Sequence, residues 1–190
     1  MNILFIDACI SNHEPSRTKY LCEKYLDICR HLGDTVTHLE LASADINPLD
    51  AETLKKRDHL LAEGELDHEM FDLAKQLRDA DRVVIGAPFW DLSFPAILKD
   101  YIENIMVTGI TFSYNDHGMP VGLCKADKLV YIMTAGGPVH GFNFGYDYVK
   151  SIMTMMLGVK ESELYCAEML DVFGSDVDSI LEETCIGMAY

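Results

Sequence analysis

The sequence predicts an α/β fold in which five parallel strands form a doubly wound sheet with helices on both faces. Short, wholly apolar runs recur along the chain, and such runs are typical of central parallel strands covered on both sides. Amphipathic helical segments separate these runs, and regular alternation of strand and helix indicates a parallel sheet. The 190 residues are 49% hydrophobic, which is enough to bury a large core, and residues 1–190 are interpreted as a single domain.

Composition and charge exclude several functional classes. The net charge of −16 argues against a nucleic-acid-binding surface. No apolar run approaches the roughly 18 residues that a membrane span requires, and the amino end lacks the features of a signal peptide. The six cysteines form no Cys-x-x-Cys pair and no metal-ligand spacing, which favours reduced thiols. We therefore expect a cytoplasmic protein with no metal, nucleic-acid or membrane partner.

The first third of the chain is typical of a βαβ unit. Residues 3–6 are predicted as the first strand, residues 8–15 as a loop, and residues 35–41 as the second strand. The helix between them opens at Ser16-Arg17-Thr18 and closes at the cap residue Gly33. Its apolar stripe has helical spacing and consists of Leu21, Tyr25, Ile28 and Cys29.

Ser16, Arg17 and Thr18 form a candidate phosphate site. A helix start presents unpaired N–H groups and the positive end of the helix dipole, and these three side chains add hydroxyls and a guanidinium. A helix cap is an equally weighted interpretation of Ser16. The segment contains neither a dinucleotide-binding nor a P-loop glycine pattern. Cys9 and Arg17 invite comparison with tyrosine phosphatases, but their spacing is wrong for that reaction.

The middle of the chain is charged and then regular again. Residues 42–69 are weakly patterned, with a short helix through Leu54, Leu60 and Leu61 whose basic residues 55–57 are interpreted as a solvated face. A helix over residues 67–80 leads into the third strand, residues 82–85. The next helix begins near Pro95 and ends at Gly109. Its buried face is predicted to hold Leu98, Ile102, Ile105 and Met106.

The remaining elements continue the alternation. Residues 110–114 are predicted as a strand or extended arm and residues 115–118 as a turn. The fourth strand spans residues 128–134, a helix spans residues 146–157, and the fifth strand spans residues 164–167. A final amphipathic helix carries Val177, Ile180, Leu181 and Cys185.

Two further strand ends carry features of a ligand site. The segment of residues 86–95 follows the third strand and places Pro88, Phe89 and Trp90 at the carboxyl edge of the sheet, where ligands bind in open α/β folds. Gly136 and Gly137 follow the fourth strand, and glycine lets backbone approach a flat ligand closely. A phosphate site at one end and an aromatic wall at the other indicate a flavin nucleotide.

The sequence resembles the flavodoxin-like NAD(P)H:quinone oxidoreductases, and within them the FMN-dependent NADH-azoreductases. Five segments carry the resemblance, in order and across nearly the whole chain. They are Ser16-Arg17-Thr18, Ala87-Pro88-Phe89-Trp90-Asp91, Leu98-Lys99-Asp100-Tyr101, Gly109-Ile110-Thr111-Phe112-Ser113-Tyr114 and Thr134-Ala135-Gly136-Gly137.

The resemblance implies a flavodoxin-like fold and FMN, in preference to FAD, as the cofactor. It implies NADH or NADPH as the hydride donor, a small aromatic acceptor such as a quinone or azo compound, and a homodimer with the flavin near the subunit interface. The implied contacts, residue by residue, are the phosphate at Ser16, Arg17 and Thr18, the ring against Pro88, Phe89, Trp90, Asp91 and Leu92, and the far ring edge near Thr134, Ala135, Gly136 and Gly137.

Some features depart from the family pattern or stay open. Azoreductases commonly have Met-Tyr-Asn where this chain has Phe89-Trp90-Asp91, so we expect substrate choice to depend on these positions. Asp91 itself is interpreted as a polar residue ahead of a helix, and the N–H groups of residues 90–92 as donors to a reduced ring. His140 and Tyr146 are weighed as a proton relay, but a loop histidine without that role is preferred, and no catalytic residue is assigned. An FMN-bound electron carrier and a flavin-binding module without turnover remain alternatives.

Overall fold

The predicted five-stranded parallel sheet is confirmed. A computed structural model describes residues 1–10 and 15–190 of the chain. The sheet has the strand order β2-β1-β3-β6-β7, and every pairing in it is parallel. Its strands are β1 (Asn2–Asp7), β2 (Thr35–Glu40), β3 (Arg82–Gly86), β6 (Lys128–Thr134) and β7 (Glu161–Ala167). A separate antiparallel hairpin consists of β4 (Phe112–Tyr114) and β5 (Pro120–Gly122).

Helices connect the strands and cover both faces of the sheet. They are α1 (Arg17–His31), α2 (Ala51–Glu63), α3 (Asp72–Asp79), α4 (Ala96–Ile105), α5 (Phe144–Ser151) and α6 (Val177–Ile186). None of the helices in the described part of the chain has both the length and the apolar character needed to cross a bilayer.

Alternate residues of the central strands point to opposite faces of the sheet, as strand geometry requires. In β1, Ile3 and Phe5 pack with α1 and α6. Leu4 and Ile6 pack on the other side, against α3, α4 and α5. Strands covered on both faces have no polar side to expose, which explains why the sequence shows unbroken apolar runs instead of alternation.

Two helix boundaries differ from the sequence-based expectation. The helix expected over residues 67–80 starts at Asp72, after a 3₁₀ turn (Glu69–Phe71), because the imidazole of His68 accepts the N–H of Met70 at 3.0 Å. The helix expected to reach Gly109 ends at Ile105. The hydroxyl of Thr111 donates to the carbonyl of Ile105 at 2.7 Å, which satisfies a backbone acceptor at the helix end.

The second half of the chain contains three features that the sequence pattern did not indicate. The helix predicted over residues 146–157 continues beyond α5 as a π-helical segment (Ile152–Met156), and Leu157 donates to Ile152 at 3.2 Å. Strand β7 begins at Glu161, ahead of the predicted residue 164, because Lys128 on the neighbouring strand pairs with Glu163 at 2.7 Å. The extended arm of residues 110–114 is the first half of a hairpin whose second strand, β5, was not predicted.

The sheet brings the three predicted ligand-contacting segments to one edge. Strands β1, β3 and β6 are neighbours in the sheet, so the segments after them emerge side by side. The predicted loop of residues 8–15 is described only at its two ends, since residues 11–14 lie outside the described part of the chain. This edge is where ligands bind in doubly wound sheets.

Candidate active site

A cavity of about 680 Å³ opens at the carboxyl ends of the central strands. This volume lies within the range of roughly 300–1,000 Å³ that is typical of cofactor pockets. Nine of the predicted site residues line it, namely Ser16, Arg17, Thr18, Pro88, Phe89, Trp90, Thr134, Ala135 and Gly136. The lining also includes residues that were not predicted as ligand contacts, namely Cys9, Ile10, Pro15, Leu170 and Asp171. Asp91, Leu92 and Gly137 are not part of the lining.

The start of α1 forms one end of the cavity. Ser16 caps the helix, and its hydroxyl oxygen accepts the N–H of Lys19 at 3.3 Å. The first turn contains no acidic side chain. The positive end of the helix dipole therefore faces the cavity without being neutralised by a carboxylate of the same turn. Arg17 is the first residue of the helix and places its guanidinium at the rim. The capping role of Ser16 and an anion-binding role of this helix start are therefore compatible.

Thr18 joins the two ends of the cavity. It is buried, and its hydroxyl oxygen lies 2.6 Å from the hydroxyl oxygen of Thr134 at the end of β6. The carbonyl of Thr134 also accepts the N–H of Phe89 at 2.9 Å. Thr134 therefore links three segments: its hydroxyl contacts the helix start, its carbonyl binds the aromatic loop, and it directly precedes the segment that follows β6.

The aromatic loop turns sharply after Trp90. Trp90 and Ser93 exchange backbone hydrogen bonds of 3.2 and 2.7 Å, and the two residues between them have positive φ angles, 50° for Asp91 and 64° for Leu92. This is the backbone pattern of a tight two-residue turn that favours glycine. The N–H of Trp90 is already used inside the turn, so it is not available as the donor to a reduced ring that the sequence predicted.

The turn determines which side chains reach the cavity. Phe89 and Trp90 line it, whereas Asp91 and Leu92 occupy the corner of the turn and extend outside the lining. Trp90 is 46% exposed, so its side chain is open to solvent as well as to the cavity and does not belong to the core. The prediction of Asp91 as a polar residue ahead of the helix is compatible with this position, although the residue itself adopts a left-handed conformation.

Asp171 brings a negative charge to the same cavity. Its carboxylate oxygen lies 2.7 Å from a guanidinium nitrogen of Arg17. Its backbone N–H donates to Gly136 at 2.8 Å, and the N–H of Leu170 donates to Ala135 at 3.2 Å. A Cβ atom on Gly136 would lie 2.3 Å from the other Asp171 carboxylate oxygen, so a larger residue there would require the Asp171 side chain to move. Asp171 follows β7 at the same sheet edge, and that position was the one available signal for it in the sequence.

Comparison with known proteins now identifies the family. The family model described as a flavodoxin-like fold matches residues 1–184. The chain belongs to this flavodoxin-like family. A Clostridium acetobutylicum protein named FMN-dependent NADH:quinone oxidoreductase 2 is 39% identical, and the match covers 96% of this chain and 93% of that protein. A Coprothermobacter proteolyticus protein named FMN-dependent NADH:quinone oxidoreductase is 37% identical, over 93% of this chain and 90% of that protein.

The solved structures agree with this family. The crystal structure of an azoreductase from Bacillus anthracis str. Sterne superimposes with a TM-score of 0.83 at 25% identity. It covers 97% of this chain, and this chain covers 95% of it. The resemblance drawn from the five sequence segments, to quinone oxidoreductases and azoreductases of the flavodoxin-like fold, is confirmed.

The cavity of this flavodoxin-like protein also contains a thiol, that of Cys9. Burial raises the pKa of the Cys9 thiol well above its ordinary value, and the neighbouring Asp7 carboxylate raises it further. Asp7 is buried and accepts the Cys9 N–H at 3.0 Å, while its second oxygen lies 3.1 Å from His38 and 3.3 Å from Lys19. Since the thiolate is the reactive form of cysteine, Cys9 is not an activated nucleophile. A phosphatase-type reaction, rejected above on spacing, is therefore also disfavoured by the environment of the thiol.

His140 and Tyr146 do not line the cavity. His140 is exposed and has a φ angle of 51°. The Tyr146 hydroxyl donates to Ser162 at 3.1 Å, and its ring packs against that of Tyr131. In this flavodoxin-like chain, both residues lie outside the lining of the candidate site, and Tyr146 is held by contacts elsewhere. The preferred interpretation, that they form no proton relay, stays a prediction.

Proposed function

We propose that this protein is an FMN-dependent NADH:quinone oxidoreductase, an enzyme that passes a hydride from a nicotinamide through FMN to a quinone, an azo compound or a similar aromatic acceptor. One observation carries the proposal. A single cavity has an anion-binding helix start at one end, formed by residues 16–18, and an aromatic wall at the other, formed by Phe89 and Trp90. The curated relatives named FMN-dependent NADH:quinone oxidoreductases support it.

The chemistry of the lining fits FMN. The N-terminus of α1, the Ser16 hydroxyl and the Arg17 guanidinium would hold the phosphate. Phe89 and Trp90 would lie against the ring, and Ala135 and Gly136 would lie at its far edge. Bound FMN would supply the redox chemistry, which is to accept a hydride and pass it on.

The protein's own residues bind, orient and exclude water. The Thr18–Thr134 hydrogen bond fixes the distance between the phosphate end and the ring end. The half-exposed Trp90 lines the cavity and would shield one face of a bound ring from water. Cys9 stays a neutral thiol, and we assign no side chain as a nucleophile or proton donor. Such a site depends on position and stacking, as in other cofactor enzymes.

We also propose NADH as the donor, which the names of the curated relatives support.

We further propose that the protein is a homodimer. A groove of about 700 Å³ runs beside the aromatic loop and is lined by Phe94, Phe144 and Tyr148, among others. Leu92 and Phe144 border this region with 49% and 56% exposure, and the Leu92 carbonyl accepts the Phe144 N–H at 3.1 Å. Apolar surface of this kind favours a protein partner, and a second copy of the chain would cover it. Light scattering would test this proposal, since a monomer at micromolar concentration would contradict it.

Anaerobic spectroscopy tests the catalytic proposal. The protein is loaded with FMN, and the absorbance of oxidised flavin is followed after NADH, or NADPH in a matched sample, is added. We expect NADH to bleach the flavin and a quinone to restore the colour. No bleaching by either nicotinamide would contradict the enzyme proposal. Bleaching that quinones, azo dyes and free flavins all fail to reverse would support NADH as the donor and contradict these compounds as acceptors.

A further inference from the structure

The cavity contains one ion pair that the proposed function does not use. Arg17, which supplies the only guanidinium among the described residues of the lining, pairs with Asp171 at 2.7 Å. A phosphate at the helix start would need the same guanidinium, because Arg–phosphate contacts are strong and directional. A phosphate carries a charge of about −1.5 to −2 at neutral pH, so a carboxylate on the same arginine opposes it.

Asp171 is held at this position by its backbone. Its N–H donates to Gly136 at 2.8 Å, and the preceding residue, Leu170, donates to Ala135 at 3.2 Å. These bonds join the segment after β7 to the segment after β6, so the Cα atom of Asp171 is fixed at the rim. The side chain is 69% exposed and that of Arg17 is 40% exposed. The carboxylate can therefore rotate towards solvent while its backbone stays in place.

We infer that Asp171 competes with the flavin phosphate for Arg17. The competition lowers the preference of the site for phosphorylated over unphosphorylated flavin. The inference rests on the proposed FMN site. The Asp171 carboxylate pairs with the Arg17 guanidinium in the structure. When FMN binds, the phosphate takes the guanidinium and the carboxylate turns away. Riboflavin has no phosphate, so its binding leaves the Arg17–Asp171 pair intact.

The size of the effect follows from the exposure of the pair. An exposed ion pair contributes up to about 1 kcal/mol, which corresponds to about a fivefold change in a dissociation constant. Removal of the Asp171 carboxylate should therefore tighten FMN binding about three- to fivefold at low ionic strength and leave riboflavin binding unchanged. Salt screens exposed charges, so the gain should fall below about twofold at 0.5 M NaCl.

Binding titrations of the full chain test the inference. Dissociation constants for FMN and riboflavin are measured by flavin fluorescence for the wild type, Asp171→Asn and Asp171→Ala. The alanine variant is needed because an asparagine amide could itself donate to a phosphate. Asp116→Asn, at the exposed hairpin turn, removes one negative charge outside the cavity lining and is the matched control. We expect both Asp171 variants, but not the control, to raise the FMN-to-riboflavin affinity ratio.

The Arg17→Gln background separates competition from simple repulsion. If Asp171 acts through Arg17, the gain from Asp171→Ala should disappear when Arg17 is glutamine. A gain that persists in that background would overturn the competition, and so would an unchanged or lower FMN-to-riboflavin ratio in both Asp171 variants. A wild-type protein that binds neither flavin would overturn the proposed FMN site as well as this inference. A wild type that binds both flavins with no change in the variants would overturn this inference alone.

Discussion

The hydroxyl oxygens of Thr18 and Thr134 lie 2.6 Å apart, and this hydrogen bond joins the first turn of α1 to the last residue of β6. Thr18 is buried, and Thr134 is the side-chain partner of its hydroxyl in the described part of the chain. The two residues are far apart in the sequence, and each belongs to a different predicted ligand-contacting segment. The bond therefore sets the spacing of the cavity ends before any ligand binds.

Replacement of Thr134 by valine should destabilise the fold more than loss of an ordinary hydrogen bond would. The substitution keeps the shape of the side chain but leaves the Thr18 hydroxyl buried without this partner, a change that costs about 1–3 kcal/mol. The free energy of unfolding in urea measures the effect, with Thr37→Val on the exposed edge strand β2 as the control. The double variant Thr18→Val, Thr134→Val should lose less than the sum of the two single losses. Additive losses would contradict the assigned hydrogen bond.

Trp90 should contribute to flavin binding, and its neighbour Leu92 should not. Trp90 lines the cavity, whereas Leu92 lies outside the lining although it is about equally exposed. Aromatic contact is worth about 0.5–1.5 kcal/mol beyond the area that it buries, so Trp90→Ala should weaken FMN binding about tenfold. Trp90→Phe should restore most of the affinity, and Leu92→Ala serves as the control. If Trp90→Ala and Leu92→Ala weaken FMN binding equally, Leu92 contacts the flavin as the sequence predicted, although it lies outside the cavity lining.

The sequence predicted the sheet well because its central strands are covered on both faces. Runs such as residues 3–6 and residues 82–85 have no polar alternation, and Ile3 and Leu4 pack into opposite cores. The order of strand ends then indicated the site, since parallel strands bring their carboxyl ends to one edge. Pattern alone did not predict β5 or the first residues of β7. β5 contains Pro120 and Gly122, which are poor strand formers. The two glutamates at the start of β7 are tolerated because β7 is an edge strand and because Glu163 forms an ion pair with Lys128.

The candidate site was predicted only in part, because side-chain direction depends on local backbone conformation. Two consecutive residues with positive φ rotate Asp91 and Leu92 away from the cavity. Aspartate tolerates this conformation, but leucine rarely adopts it, so the sequence does not signal the turn. Asp171 reaches the cavity through backbone bonds to Gly136 and an ion pair with Arg17. Such contacts are formed only in the folded chain, so no motif in the sequence indicates them.

The turn after Trp90 should be strained at Leu92. Leu92 has a φ angle of 64°, and the left-handed conformation costs about 1–2 kcal/mol for a residue with a Cβ atom. Leu92→Gly should therefore raise the free energy of unfolding by about 1 kcal/mol, after allowance for the greater freedom of glycine in the unfolded chain. Leu92→Ala retains the conformational cost and is the control for loss of the side chain. Urea denaturation measures both variants, and a glycine variant no more stable than the alanine variant would contradict the assigned strain.

The ion pair between Lys128 and Glu163 should make stability depend on pH. The two side chains are 2.7 Å apart and mostly buried, on neighbouring strands β6 and β7. Burial alone raises the pKa of the Glu163 carboxyl, but the effects that lower it, led by the paired Lys128 ammonium, outweigh burial, so the net pKa is below the ordinary value. A lowered carboxyl pKa stabilises the folded state above the unfolded pKa, which is about 4.3 for glutamate. This stabilisation is lost as pH falls through the lower, folded pKa.

Glu163→Gln should therefore be less stable than the wild type at pH 7 and nearly equal to it at pH 2.5. We expect a difference on the order of 1 kcal/mol at the higher pH, because the pair is partly shielded from solvent. Glu161→Gln is the matched control, since Glu161 is an exposed residue of the same strand and has no ion partner among the described residues. Urea unfolding at both pH values measures the two differences. A Glu163→Gln deficit of the same size at pH 2.5 would assign its cause to packing, because a protonated carboxyl no longer forms the ion pair.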